Sequence, residues 1–118
     1  MESILTSIKK LLGIAEEYTH FDEDLIIHIN SVFAALTQIG VGPSTGFIIS
    51  DKYATWENFI SDTTCLTPVI SYVHLKVKLL FDPPSSSAVM SSMERQIGEF
   101  EWRLRLAAEN LSVVTEEK

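Results

Sequence analysis

Histidine and cysteine are the residues of this chain that could most readily bind a metal or act in catalysis. The three histidines, His20, His28 and His74, lie on separate predicted segments, and none forms a His-x-x-x-His or Glu-x-x-His pair. A zinc site normally draws at least two ligands from one such pair. The single cysteine, Cys65, excludes an internal disulfide and is interpreted as a small packed residue of a protein from a reducing cytoplasm. We therefore predict no metal and no cofactor.

The other groups with catalytic potential are also better explained by structure. Residues 16–17 and 22–24 are acidic, but acids at the start of a helix stabilise it, and catalytic carboxylates need to face each other across a cleft. Residues 40–43 are glycine-rich but lack the Gly-Lys-Ser/Thr ending of a phosphate-binding loop. No serine, cysteine or lysine stands in a recognisable nucleophile motif. The sequence predicts that the protein is not an enzyme.

Composition and charge restrict the class of partner. The chain has 118 residues, 46% of them hydrophobic, and a formal net charge of −7. No apolar run approaches the roughly 20 residues that cross a bilayer, so no membrane partner is expected. No cluster of lysine and arginine is present to neutralise phosphates, so tight DNA binding is not expected. A helical regulator or DNA-binding protein of the host cytoplasm is the alternative interpretation, tested by salt-sensitive binding in a gel shift.

The elements that must position any functional surface are helices. Apolar residues recur at three- and four-residue steps over 66–81 and again over 86–110, and Pro83 and Pro84 break the chain between them. These two segments predict a C-terminal helical hairpin. Upstream, the same periodicity predicts helices over 3–13, with Ser3 and Gly13 as caps, and from Asp22, as cap, to about residue 39. The prediction is an all-α bundle of four to five helices.

The region from residue 40 to residue 54 interrupts this pattern. It is rich in glycine, and we expect a long loop in which residues 47–49 form a short extended piece. A short helix, capped by Thr55, follows. Loops of about fifteen residues in a compact domain are often functional. The tip of this loop is therefore a candidate contact or channel-lining segment: Pro43, Ser44, Thr45 and Gly46.

Two groups of apolar residues exceed what a two-helix contact can bury. On the first hairpin helix, Tyr72, Leu75 and Leu79 form a second apolar flank, which must meet another helix of this chain or of a neighbouring subunit. On the last helix, Trp102 and Leu106 lie one turn apart on the charged side, where Glu99–Arg103 and Glu101–Arg105 are spaced for ion pairs. Such an aromatic anchor among charges is typical of an interface, although contact within the chain is the alternative.

The order of these segments resembles the head–tail connector proteins of tailed bacteriophages. The resemblance runs from about residue 4 to residue 107 and is carried by IKKLLGI (8–14), FD (21–22), HIN (28–30), LxxIGVG (36–42), ATWENF (54–59), YVHLKVKLLFDPP (72–84) and MERQIxExEWRL (93–104), where x is any residue. Together these segments are specific, although none is a catalytic signature.

The resemblance implies an all-α structural adaptor, without catalytic residues or cofactors. Its copies are expected to form a ring, twelvefold in the virion, beneath the portal protein. The ring would extend the channel through which double-stranded DNA passes, without sequence-specific binding, and would dock the next head-completion (stopper) or tail protein. The expected location is the head–tail interface of the virion, after assembly in the host cytoplasm. We expect one connector domain over residues 1–111 and a flexible tail over 112–118.

Overall fold

The computed structural model describes residues 2–60 and 66–116, and the side chains among them as far as Glu109. Five helices occur in these ranges: α1 (Ile4–Leu12), α2 (Asp22–Gln38), α3 (Trp56–Phe59), α4 (Leu66–Phe81) and α5 (Ser87–Glu116). No strand occurs in the described ranges, where the only β-type pairing is a single bridge between Ser3 and Thr55. The predicted all-α class is confirmed.

α1 begins and ends where its caps predict. The Ser3 Oγ accepts a hydrogen bond from the Thr6 backbone N–H at 3.2 Å, and Gly13 has a φ of 80°. This left-handed conformation suits glycine and lets the Gly13 N–H donate to the Lys10 carbonyl at 3.1 Å. Local sequence is therefore sufficient to define this helix.

The predicted cap of α2 is wrong. Asp22 is the first residue of the helix, Phe21 occupies the cap position, and no side chain caps the first turn. The Asp22 carboxylate instead lies 2.9 Å from the Lys9 Nζ, which also donates to the Glu16 carbonyl at 2.8 Å. Lys9 is only 2% exposed. A buried ammonium group needs partners of this kind, so Asp22 serves Lys9 rather than its own helix.

α4 is the central helix of the fold, since α1, α2 and α5 all contact it. Its residues Val69, Val73 and Val77 are fully buried. On α2, the predicted inner line is buried from Leu25 to Leu36. The side chains of α1, α2 and α4 thus form most of one continuous core.

The loop between α2 and α3 folds back onto the core. The predicted extended piece at 47–49 forms no strand; instead, the Asn30 side chain accepts from the Ile49 N–H at 2.8 Å and donates to the Ile49 carbonyl at 2.9 Å. Phe47 packs edge-on against Phe33, with ring centroids 5.2 Å apart. One amide side chain therefore takes the place of a pairing strand.

α5 is longer than predicted. The Ser86 Oγ accepts a hydrogen bond from the Val89 N–H at 3.3 Å and caps the first turn, and the helix continues to Glu116 rather than ending at residue 110. Among its side chains as far as Glu109, Ile97 and Leu104 are buried, whereas Ala107 is exposed. The helix occupies residues 112–116 of the predicted tail, and residues 117–118 lie outside the described part. The division of the chain at residue 111 stays a prediction.

In the described residues, no helix has the length and apolar character needed to cross a membrane.

Candidate interaction surface

The second apolar flank of α4 is covered by this chain at Tyr72 and partly covered at Leu75 and Leu79. Tyr72 is only 1% exposed, and its hydroxyl donates a hydrogen bond of 2.7 Å to the Glu101 carboxylate on α5. Leu75 and Leu79 are half-buried and pack against the core. Tyr72 therefore meets another helix of the same chain, and the role of Leu75 and Leu79 at an interface stays a prediction.

Burial controls the chemistry of the Tyr72 hydroxyl. It raises the pKa of this group well above its ordinary value of 10.0, and the hydrogen bond to Glu101 and the negative charge of that carboxylate act in the same direction. Lys76 lies 3.9 Å from the same carboxylate. These three side chains form a cluster that joins α4 to α5: the neutral hydroxyl of Tyr72, the carboxylate of Glu101 and the ammonium group of Lys76.

This cluster also decides which ion pairs form along α5. The predicted Glu99–Arg103 pair is present. The predicted Glu101–Arg105 pair is absent, because Glu101 turns towards Tyr72 and Lys76 instead. A buried hydroxyl on the neighbouring helix thus takes the carboxylate from an exposed arginine one turn away.

Trp102 and Leu106 lie on the side of α5 opposite its buried residues and are open to solvent. Trp102 is 62% exposed and Leu106 38%. They are one turn apart, and the exposed Arg105 lies beside them. An exposed tryptophan next to a leucine and an arginine has the composition of an interface centre, since tryptophan and arginine are enriched among residues that dominate binding energy.

The predicted loop tip is a tight turn at the surface. The Gly46 N–H donates to the Pro43 carbonyl at 3.0 Å, and Ser44 and Thr45 between them are exposed. The tip thus lies at the surface.

The histidines do not form a metal site with other side chains of the described residues. Among these residues, no group of three histidine, cysteine or acidic side chains lies close enough together to hold a metal ion. His20 is exposed, and His28 and His74 are half-buried on different helices. Burial lowers the pKa of His74, and the charge of Lys78 lowers it further, while the Leu11 carbonyl acts in the opposite direction. Cys65 lies outside the described residues, so its predicted packing role stays a prediction.

The lysines of α4 are neutralised locally. Lys76 faces Glu101, and the Lys78 Nζ lies 2.9 Å from the Asp82 carboxylate. A helix that reads DNA must present its cations to phosphates. Carboxylates lie beside both lysines of this helix, so neither lysine is an isolated cation.

A family of known proteins matches almost all of this chain. The family is described as phage connector protein, and the match covers residues 4–111. The chain belongs to the phage connector protein family. Comparison with curated proteins and comparison with solved structures each gave no match. The connector is thus a structural phage protein, and the predicted resemblance is confirmed.

Proposed function

We propose that this connector forms a ring under the portal of a tailed phage, extends the DNA channel and docks the next head-completion or tail protein. The family match over residues 4–111 is the observation that carries this function. A ring subunit needs lateral surfaces, and Trp102 and Leu106 are exposed apolar residues suited to one of them. The other three predicted interface residues are covered or half-covered within the chain and are not needed for this proposal.

The charge of the connector supports passage of DNA without binding. The formal net charge is −7, and both lysines of α4 lie beside carboxylates. Phosphate binding gains its energy mainly from cations that replace the counterions of DNA. A channel lined by such subunits would let DNA move without holding it.

The double variant Trp102→Ala, Leu106→Ala tests this function. Mixed with purified portal protein, the wild-type connector should form a ring-shaped complex visible by electron microscopy, and the double variant should form at least tenfold less of it. Circular dichroism and melting temperature should stay close to those of the wild type, because both residues are exposed. A matched control is Val89→Ala, which removes another exposed apolar side chain of α5.

Two results would contradict the function. Wild-type connector that neither binds portal protein nor occurs at the head–tail interface of virions is not a connector ring subunit. If the double variant loses folding stability along with assembly, Trp102 and Leu106 belong to the core instead of an interface.

We also propose that the loop tip, Pro43–Gly46, contacts a neighbouring subunit or lines the channel. Its exposed turn and its position outside the core support this role. Replacing Ser44 and Thr45 by a two-glycine turn should leave the melting temperature nearly unchanged and reduce the yield of DNA-filled particles. Unchanged particle completion and DNA retention would refute this role.

A further inference from the structure

The outer side of α5 carries a charged apolar face, which we call the α5 face and define as Arg95, Trp102, Arg105 and Leu106. Trp102 follows Arg95 by seven residues and precedes Leu106 by four, so the three lie on one line along the helix, with Arg105 beside it. All four side chains are exposed. All three arginines of the protein lie on this helix, and neither arginine of the face forms an ion pair within the described part of the chain.

The outer side of α2 carries a face of the opposite charge, which we call the α2 face and define as Glu23, Asp24, Ile27 and Ala34. Ile27 is 63% exposed and lies one turn after Glu23, on the side opposite the buried residues of the helix. Ala34 extends this exposed line by two turns. Neither acid of the face forms an ion pair with a side chain that the structure describes.

The two faces are complementary. Each has exposed apolar side chains, Ile27 on one and Trp102 with Leu106 on the other, and each has two charges of one sign at or near the end of the apolar line. Apolar contact supplies affinity, and opposite charges fix the register and exclude wrong partners. Contact of the α5 face with a second α5 face would place arginines against arginines, which disfavours a symmetric dimer.

Neither face is covered within one copy. α2 and α5 both pack against α4 through their buried sides, and Ile27, Trp102 and Leu106 stay exposed in the same chain. The α2 face of one copy therefore does not cover the α5 face of that copy. Two different, complementary patches on one chain produce a head-to-tail contact, which repeats and closes into a ring when its rotation divides a full turn.

We propose that the α5 face of one subunit binds the α2 face of the next, with Trp102 and Leu106 packed on Ile27 and with arginines beside Glu23 and Asp24. This pairing rests on the proposed ring function and adds to it the second surface of each subunit junction. The occupant of each face is thus another copy of the same chain.

Two variants, each with one damaged face, test this pairing. Trp102→Ala, Leu106→Ala damages the α5 face and keeps the α2 face, whereas Ile27→Lys damages the α2 face and keeps the α5 face. Each variant alone, at concentrations up to ~1 mM, should remain a monomer by sedimentation, because it lacks one of the two faces that the contact needs. Their equimolar mixture should form a one-to-one dimer that grows no further. Leu11→Lys, at an exposed apolar site on α1, is the control and should assemble like the wild type.

Tryptophan fluorescence provides a second measurement on the same mixture. Trp102 is present only in the Ile27→Lys chain, and its emission should shift to shorter wavelength on mixing as its ring leaves water. Trp56 is buried in both chains and should change little.

The outcomes separate the pairing from the function. A mixture that stays monomeric at ~1 mM, or an Ile27→Lys chain that dimerises by itself, overturns the α5–α2 pairing. Wild-type connector that still forms rings with portal protein in that case retains its proposed function with a different subunit junction. Failure of the wild type to join portal complexes overturns the function itself.

Discussion

Tyr72 and Trp102 are two large aromatic side chains of the same helical hairpin, and they lie in opposite environments. Tyr72 on α4 is 1% exposed, whereas Trp102 on α5 is 62% exposed. Both stand apart from the main apolar stripe of their helix in the sequence. The difference arises because α4 is contacted by three helices, whereas α5 packs mainly on one. An apolar residue outside the main stripe is therefore covered on the central helix, as Tyr72 is, and exposed on a helix at the edge of the bundle, as Trp102 is.

The buried and the exposed aromatic side chains also differ in their hydrogen-bond partners. The buried Tyr72 hydroxyl donates to Glu101, and the indole N–H of the buried Trp56 donates to the Ser7 Oγ at 3.0 Å. A buried polar atom without a partner is costly, so these bonds are required by burial. The exposed Trp102 can use water for this purpose and remains available to a protein partner.

The sharpest contrast is expected from alanine substitution at the two sites. Tyr72→Ala should lower the free energy of unfolding by about 3–5 kcal/mol, the range for truncation of a buried aromatic residue. Trp102→Ala should change it by no more than about 0.5 kcal/mol, as expected for an exposed site. Urea titration followed by circular dichroism measures both. Similar losses for the two variants would mean that Trp102 is covered within the monomer.

The second expectation isolates the hydroxyl of Tyr72. Tyr72→Phe should lower the free energy of unfolding by about 1–2 kcal/mol, because it removes a hydrogen bond to a partly exposed carboxylate. The folded-state pKa of Tyr72 lies above its ordinary value of 10.0, so the folded state keeps a proton that the unfolded state loses. Stability that is present below pH 10 should therefore fall as the pH rises above 10.

Absorbance titration of the tyrosinates provides the measurement and its control. The Tyr72 hydroxyl should ionise only above its ordinary pKa of 10.0, and Tyr72→Phe, which lacks this hydroxyl, is the control. An absorbance change near pH 10 that is larger in the folded wild type than in folded Tyr72→Phe would contradict the buried hydrogen bond.

Features fixed by neighbouring residues were predictable from the sequence. The caps of α1 and the buried line of α2 agree with the predictions, because capping and helical periodicity involve residues within four positions of one another. The predictions that were wrong involve competition from distant residues. Lys9 takes Asp22 from the start of α2, and Tyr72 takes Glu101 from Arg105. No pattern within either helix reports these partners.

The candidate surface was predictable in part. A helical projection places Trp102 and Leu106 on the charged side of α5, and both are exposed. The same projection could not decide between the two explanations for Tyr72, because it gives the direction of a side chain and not the number of helices around it. Ile27 was missed because it adjoins the buried line of α2 in sequence, although it points away from that line.

The smallest expected effect on stability concerns His74, which lies on α4 at its contact with α1. Burial and the nearby Lys78 hold its folded-state pKa below the ordinary value of 6.5. At a pH between the lowered folded-state pKa and 6.5, His74 binds more protons in the unfolded state than in the folded state. The free energy of unfolding should therefore decrease as the pH falls below about 6.5 and recover as the pH rises again. Melting temperatures at about pH 5.5 and about pH 7.5 measure this difference, which should shrink in His74→Gln. An equal pH dependence in the wild type and His74→Gln would show that His74 is solvated in the folded protein.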